Sequence, residues 1–147
     1  MSLKERIADD LKSAMRTGNT KQRDTIRLLQ AAIKQREVDE RIVLDDATVI
    51  AVIEKMLKQR KDSIAQYEAA KRPDLAEIEK DEVAFLSAYM PQPYSESEID
   101  DLIVAAVSET GASGMQDMGK VMALLKPKLA GRADMAKVSV LIKSKLV

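Results

Sequence analysis

In the last third of the chain, acidic side chains come first and basic side chains follow. Of the patterns in the sequence, this one gives the clearest indication of a binding function. From residue 95 to Met118 there are acids and no bases. Beyond Met118 the only acid is Asp134, and the bases are Lys120, Lys126, Lys128, Arg132, Lys137, Lys143 and Lys145. Such side chains bind phosphates without reading base sequence, so the pattern predicts a phosphate-binding surface. The alternative is that these lysines solvate helix faces and balance helix dipoles.

Other phosphate-binding patterns in the sequence are weaker. The stretch from Gly114 to Lys120 resembles a phosphate-binding loop, but Val121 stands where the magnesium-binding Ser or Thr belongs, and the preceding residues have helical periodicity. Gly111 and Gly114 have the spacing of the KH-domain clamp without its α/β fold. Both patterns are interpreted as glycines that connect helices. A basic strip in the middle of the chain is interpreted as a solvated helix face: Lys55, Lys58, Arg60 and Lys61.

Side chains that commonly carry catalysis or hold metals are missing. The sequence has no cysteine and no histidine, which excludes disulfides, thiolate metal sites and the commonest general base. Adjacent acids at 9–10, 45–46 and 100–101 point about 100° apart on a helix, so they do not easily share a proton and are interpreted as caps and first-turn acids. We therefore predict no catalytic residue, no metal site and no cofactor.

Composition favours an all-α fold. Hydrophobic residues make up 46% of the chain and charged residues 33%, far from the composition of disordered chains. Aromatic residues make up only 3%, and strand-like alternation is absent, so helices are expected throughout. The 24 acids balance the 24 bases, which argues against a globally basic nucleic-acid binder and leaves local patches open.

Residues 1–90 are predicted to form a four-helix hairpin or bundle. The first helix is expected to end at Gly18-Asn19, the third to run from Asp45 or Asp46 to near Ala70, and the fourth to begin at Pro73. A short exposed connection is predicted at residues 36–41. The expected core positions recur at helical spacing: Leu3, Ile7, Leu11, Met15, Ile26, Leu29, Ala32, Ile33, Val49, Ile50, Ile53, Met56, Leu57, Ile64, Tyr67, Leu75, Ile78, Phe85, Leu86 and Tyr89.

Two prolines, Pro91 and Pro93, end the fourth helix because they lack amide donors and disfavour helical geometry in the residue before them. The following Ser95 to Glu98 has the form of a capping box, which predicts a new helix. Residues 95–147 are predicted to form a separate three-helix module, with its second helix ending at Pro127. Its expected core positions are Ile99, Leu102, Ile103, Ala106, Val121, Met122, Leu124, Leu125, Met135, Val138, Leu141, Ile142 and Leu146.

The first ten residues give an expectation about location. Charges interrupt every apolar run there, so neither a secretory signal core nor a membrane span is predicted. The protein is accordingly predicted to be cytoplasmic and not bound to a membrane.

Several segments occur together in an order that indicates a family. In the second half these are Tyr89-Met-Pro, Ser95 to Glu98, Met118-Gly-Lys-Val-Met122 and Lys128-Leu-Ala-Gly-Arg-Ala-Asp134. In the first half they are Ile26 to Ile33 and Lys58 to Ile64. By these segments the chain resembles the GatB/YqeY family over nearly its whole length, and in particular its stand-alone YqeY-like members.

The resemblance implies a role near tRNA. The C-terminal module is similar to the tail domain of the B subunit of tRNA-dependent amidotransferases, which convert misacylated Glu-tRNA or Asp-tRNA to the amide form and whose tail helps to hold tRNA. It implies that Gly119, Lys120, Pro127, Gly131 and Arg132 belong to a shared motif whose basic members meet RNA phosphates. Together with the charge pattern, this gives the predicted nucleic-acid-binding residues: Lys120, Lys126, Lys128, Arg132 and Lys143.

Three functional hypotheses follow. The first is a non-catalytic adaptor that binds tRNA, or a tRNA-processing or aminoacylation protein, through the C-terminal module. The second is an accessory role in glutamine-dependent carbon-nitrogen ligation, which the resemblance alone implies, since the chain is too short to hold the catalytic parts of that enzyme. The third is protein interaction through adaptable methionines, for which a core role is the favoured alternative: Met115, Met118, Met122 and Met135.

Overall fold

The computed structural model describes residues 1–146. Within this range the chain forms helices and no strand, which confirms the predicted all-α fold. The seven α-helices are α1 Leu3–Thr17, α2 Thr20–Glu40, α3 Asp46–Ala69, α4 Pro73–Ser87, α5 Glu96–Thr110, α6 Met118–Leu129 and α7 Met135–Leu146. A 3-10 turn at Met115–Asp117 leads directly into α6. None of these helices has the length and apolar composition needed to cross a bilayer.

Two compact units make up the chain, the first spanning Met1–Met90 and the second beginning at Pro91. The first holds α1 to α4 and the second holds α5 to α7. Each has its own apolar core. Among the fully buried side chains, those of the first unit are Ile7, Ile26, Leu29, Val49, Ile53 and Leu86, and those of the second are Ile103, Val121, Leu125, Leu129, Val138 and Ile142.

Local sequence signals set most helix ends as predicted. Gly18 ends α1 in the left-handed conformation at φ +70°, which glycine adopts without strain. Asp45 caps α3 by accepting from the Thr48 amide, and Pro73 occupies the first turn of α4. Ser95 and Glu98 form the reciprocal capping box at the start of α5. These ends are encoded within a few residues of where they occur.

The predicted connection at residues 36–41 is wrong, because α2 continues to Glu40. Its charged last turns are held by pairs one turn apart: Arg36 donates to Glu40 at 2.6 Å and Gln35 donates to Asp39 at 2.9 Å. Such pairs stabilise a helix without any apolar periodicity. The helix ends at Glu40, and Arg41 caps it with a positive φ.

The predicted end of the sixth helix at Pro127 is also wrong, since α6 continues to Leu129. A proline inside a helix costs about 3 kcal/mol and removes one backbone hydrogen bond. The carbonyl that loses its donor belongs to Ala123, which is exposed and open to water. Leu129 is fully buried in the second core, and burial of a leucine contributes about 1.5–3 kcal/mol. This burial offsets much of the cost of the proline.

Two expected core positions face solvent instead. Met15 is exposed while its neighbour Ala14 is buried, because residue 14 lies nearer the middle of the stripe formed by Leu3 and Ile7. Ile78 is exposed while Ala76 is buried in the same helix. Alanine at both buried positions allows close helix packing, so residue size misled the prediction.

Tyr89 anchors the end of the first unit. Its ring is buried, its hydroxyl donates to Asp10 Oδ2 at 2.6 Å, and the Arg6 guanidinium lies 4.9 Å from the ring centroid. Burial, followed by the hydrogen bond to Asp10, raises the pKa of the Tyr89 hydroxyl above its ordinary value. Arg6 also donates to the Ala88 carbonyl at 3.1 Å. The chain just after α4 is thereby fixed to α1.

Replacing Tyr89 with phenylalanine tests this anchor. The variant keeps the apolar ring and removes the donor to Asp10, so the free energy of unfolding should fall by about 1–2 kcal/mol. Urea unfolding measures the change. Tyr67→Phe is the matched control, because the Tyr67 hydroxyl has no hydrogen-bond partner among residues 1–146, and it should change stability by less than about 0.5 kcal/mol. Equal stability of the two variants would contradict the anchor.

Glu37 joins three parts of the first unit. Its Oε2 accepts from Lys4 Nζ on α1 at 2.7 Å and from the Leu44 amide, just before α3, at 2.9 Å. The hydrogen bond from Lys4, followed by that from the Leu44 amide, lowers the pKa of the Glu37 carboxyl below its ordinary value. The ionised carboxylate is therefore the form that the fold stabilises.

Acid should remove the contribution of Glu37 to stability. A carboxyl whose pKa is lowered by folding stabilises the fold at pH values above its ordinary pKa, and it loses this effect as the pH falls through the lowered pKa. Glu37→Gln should therefore lose less stability than the wild type between about pH 7 and about pH 3, as measured by urea midpoints. Glu54→Gln is the control, since Glu54 is exposed, and its pH profile should follow the wild type. A wild-type profile in Glu37→Gln would refute this role.

Candidate nucleic-acid interface

The lysines predicted to bind nucleic acid all lie on the surface of the second unit. Lys120, Lys126 and Lys128 are exposed on α6, and Lys143 is exposed on α7. Lys120 lies 3.6 Å from Asp117 and keeps 69% of its side chain exposed. Within residues 1–146, the other three make no ion pair. Their ammonium groups are available to an anionic partner.

Helix geometry spreads the α6 lysines over the outer surface. Residues two apart on a helix point about 160° apart, so Lys126 and Lys128 lie on opposite flanks of α6. Lys120 lies between them, on the side away from the stripe formed by the buried Val121 and Leu125. The structure thus does not gather the predicted residues around one point. This arrangement suits an extended anionic surface better than a single phosphate.

Arg132, the fifth predicted residue, is tied into the fold of the second unit. Its guanidinium carbon lies 3.6 Å from the centroid of the Tyr94 ring. Its Nε donates to the Gln92 carbonyl at 2.9 Å and its Nη1 donates to the Tyr94 hydroxyl at 2.8 Å. The Tyr94 amide in turn donates to the Arg132 carbonyl at 2.9 Å. These contacts fasten the start of the unit to the loop between α6 and α7.

Each residue of the predicted motif backbone has a local setting. Gly131 has φ +73° in the loop after α6, a conformation that favours glycine. Gly119 lies in the first turn of α6, and a Cβ atom built there would meet no atom within 4 Å. Packing among the described residues therefore does not require glycine at 119. Pro127 lies in the last turn of α6 on its exposed side.

The glycine and methionine patterns have structural explanations. The segment before Gly114 is the helix α5 rather than a strand, so the setting of a phosphate-binding loop is missing. Gly111 caps α5 at φ +65°. Met118, Met122 and Met135 pack against the second core, and Met115 is exposed. Three of the four methionines thus belong to the core, as the favoured alternative predicted.

Acidic residues of the second unit are concentrated on α5. This helix carries five acids and no base: Glu96, Glu98, Asp100, Asp101 and Glu109. α6 and α7 carry six lysines and no acid: Lys120, Lys126, Lys128, Lys137, Lys143 and Lys145. One contact joins the two sets, since Lys145 Nζ lies 2.9 Å from Asp100 Oδ1. Among residues 1–146, no three acidic side chains lie close enough to hold a metal ion.

Sequence reasoning missed the partner of Arg132. Tyr94 lies 38 positions earlier in the chain, and no local pattern relates two residues at that separation. Arg132 lies in one of the segments by which the chain resembles its family, whereas Tyr94 lies just before another, and the resemblance gave only Arg132 a role. The tertiary contact adds a structural function to a residue predicted to bind RNA.

Arg132→Lys tests the structural function, because lysine keeps the charge and loses the planar fork that makes both hydrogen bonds. The free energy of unfolding should fall by about 1–2 kcal/mol, from the weakened stacking and hydrogen bonds. Lys143→Arg is the control, since Lys143 is exposed and unpaired with any described residue, and its stability should change by less than about 0.5 kcal/mol. A fully stable Arg132→Lys variant would show that the contacts are not needed.

Three relatives illustrate what the chain is similar to. Altered inheritance of mitochondria protein 41, mitochondrial, from Pyrenophora tritici-repentis is 34% identical over 82% of this chain and 70% of that protein. Proteins of the same name from Candida glabrata and Kluyveromyces lactis are 36% and 34% identical, over 63% and 70% of this chain. The chain spans 52% and 57% of the length of those two proteins.

These names contradict the predicted cytoplasmic location, since all three relatives are named as mitochondrial. The prediction was wrong because it depended on the lack of a secretory signal core and a membrane span. Import into mitochondria uses an amphipathic, arginine-rich segment instead. The features considered therefore do not distinguish the cytoplasm from the mitochondrion.

The family itself is clear from the length of the match. The sequence profile described as Yqey-like protein matches residues 4–146, which includes every helix of the structure except the first residue of α1. The segments that first indicated the family lie within this range. The chain therefore belongs to the YqeY-like family.

Proposed function

We propose that the second unit binds the phosphate backbone of tRNA through the exposed lysines of α6 and α7, and that the protein acts as an adaptor without chemistry of its own. The observation that supports this most directly is the separation of charge between helices, with six lysines and no acid on α6 and α7. Contacts of this kind hold a nucleic acid in place without selecting a sequence.

Helix dipoles alone do not account for the lysines. Lys126, Lys128, Lys143 and Lys145 lie in the last turns of their helices, where a cation contributes about 0.3–1 kcal/mol. Lys120 and Lys137 lie in the first turns of α6 and α7, where a cation opposes the dipole. A surface that serves only helix stability would place acids at these two positions. The basic side chains there favour an anionic partner.

The shape of the surface is consistent with an extended polyanion. The α6 lysines point in different directions across the outer face of the helix, so successive phosphates can meet different side chains. Gly119 leaves open space beside Lys120, which allows a ligand backbone to approach the helix closely. Arg132 is held in one orientation by Tyr94 and Gln92, and a pre-organised guanidinium loses less freedom when it binds a phosphate.

The choice of tRNA as the bound RNA rests on the family of the chain. The chain belongs to the YqeY-like family, and its C-terminal part resembles the tail domain that helps to hold tRNA in amidotransferases. A tRNA-processing or aminoacylation protein is the partner that such an adaptor would serve. An accessory role in carbon-nitrogen ligation rests on the same resemblance, and no arrangement of the described side chains favours it.

Neutralising two lysines tests the proposal without placing an acid at the end of α6, where it would be unfavourable to the helix dipole. Lys126→Gln combined with Lys128→Gln should weaken binding of unmodified tRNA by about 30-fold at about 0.1 M salt, the effect of losing two phosphate contacts. Filter binding or fluorescence anisotropy with labelled tRNA measures the affinity, and circular dichroism checks helicity.

The matched control is Lys58→Gln combined with Lys61→Gln. It makes the same change in net charge at exposed lysines of α3, in the first unit. Its affinity for tRNA should stay within about twofold of the wild type, because the change in net charge alone has only a small effect on binding. Equal loss in both double variants would mean that only net charge matters, and no loss in the first would refute the proposed surface.

A further inference from the structure

An apolar groove lies between α5 and α7, and of the lysines on α6 and α7 only Lys137 is among its described lining residues. Its volume is about 610 Å³, within the usual size of ligand-binding clefts. The apolar lining consists of Ile99, Val138, Val140 and Leu141, and the polar lining of Glu96, Ser97, Asp100, Asp134 and Lys137. All of these residues belong to the second unit. The groove is therefore a feature of that unit alone.

Two exposed valines lie on the helices that form this groove. Val140 on α7 lines the groove and is 65% exposed, and Val104 on α5 is 51% exposed. Val104 lies one helical turn beyond Asp100, on the same side of α5. Valine is a weaker helix former than most alternatives and is poorly suited to contact with water. Each wall thus offers apolar surface that the described residues leave uncovered.

Charge around the groove is mainly negative. The lining residues include three acids, Glu96, Asp100 and Asp134, and one base, Lys137. A second base, Lys145, pairs with Asp100, and the α5 wall has no base along its whole length. Asp134 Oδ1 accepts from the Ala136 amide at 2.9 Å. Glu96 has no such partner among residues 1–146. Glu96 and the α5 wall therefore favour a basic partner over RNA phosphates.

From this charge complementarity we infer that the α5–α7 groove is a docking site for a short amphipathic helix of a partner protein. The helix presents an apolar stripe to Ile99, Val140 and Leu141 and places lysine or arginine side chains beside Glu96 and the α5 wall. Helices bind grooves between helices in this way through anchors at i, i+3 or i+4, and i+7. The site uses none of Lys120, Lys126, Lys128 and Lys143, so the protein has one surface for RNA and another for a protein.

Selection from a displayed library of random peptides of about 16 residues, about four helical turns, tests the inference on the full chain. Enriched peptides should combine a helical apolar stripe with lysine or arginine on its flanks. Val140→Gln should weaken their binding at least tenfold, and Glu96→Gln should weaken it two- to fivefold at low salt. Neither change removes a buried side chain, so the fold is expected to persist.

Val38→Gln is the matched control, since Val38 is 59% exposed on α2 in the first unit, and it should leave peptide binding unchanged. Failure to enrich peptides, enrichment of acidic peptides, or equal binding to Val140→Gln and the wild type would overturn the inference. Sedimentation velocity of the chain alone tests whether a second copy of the chain occupies the groove instead. Self-association that Val140→Gln abolishes would show that a second copy fills the groove, which would also overturn it.

Discussion

Two missing amide donors, at Pro91 and Pro93, impose the division on which the rest of the structure depends. A helix cannot pass through Pro91-Gln-Pro93 without losing backbone hydrogen bonds, so α4 ends at Ser87 and α5 begins after Ser95. Each side then builds a separate apolar core. The chain on each side of the prolines is secured within its own unit by a tyrosine next to an arginine: Tyr89 with Arg6, and Tyr94 with Arg132.

The second core is small, so most of the surface of its three helices is free to carry charged side chains. Each of its three helices buries one narrow stripe, such as Val121, Leu125 and Leu129 on α6, and leaves most of its circumference to solvent. Those free faces carry acids on α5 and lysines on α6 and α7. A three-helix unit can thus present two chemically different surfaces, one suited to a polyanion and one suited to a basic helix.

Helix ends that depend on neighbouring residues were predicted from the sequence. The caps at Asp45 and Ser95, the glycine stop at Gly18 and the proline start of α4 each depend on a few adjacent positions, and each was predicted correctly. The extension of α2 to Glu40 and of α6 past Pro127 was missed, because side-chain pairing and burial of Leu129 outweighed local signals. The contact of Arg132 with Tyr94 and the α5–α7 groove depend on residues far apart in the chain, and periodicity carries no information about them.

The salt dependence of tRNA binding tests the central claim most directly, because phosphate contacts release counterions in proportion to their number. If Lys120, Lys126, Lys128 and Lys143 each meet a phosphate, a plot of log affinity against log salt concentration should fall with a slope of about −3. That slope is the result predicted for the wild-type chain. An affinity that does not change with salt, or no binding to tRNA at low salt, would contradict the account.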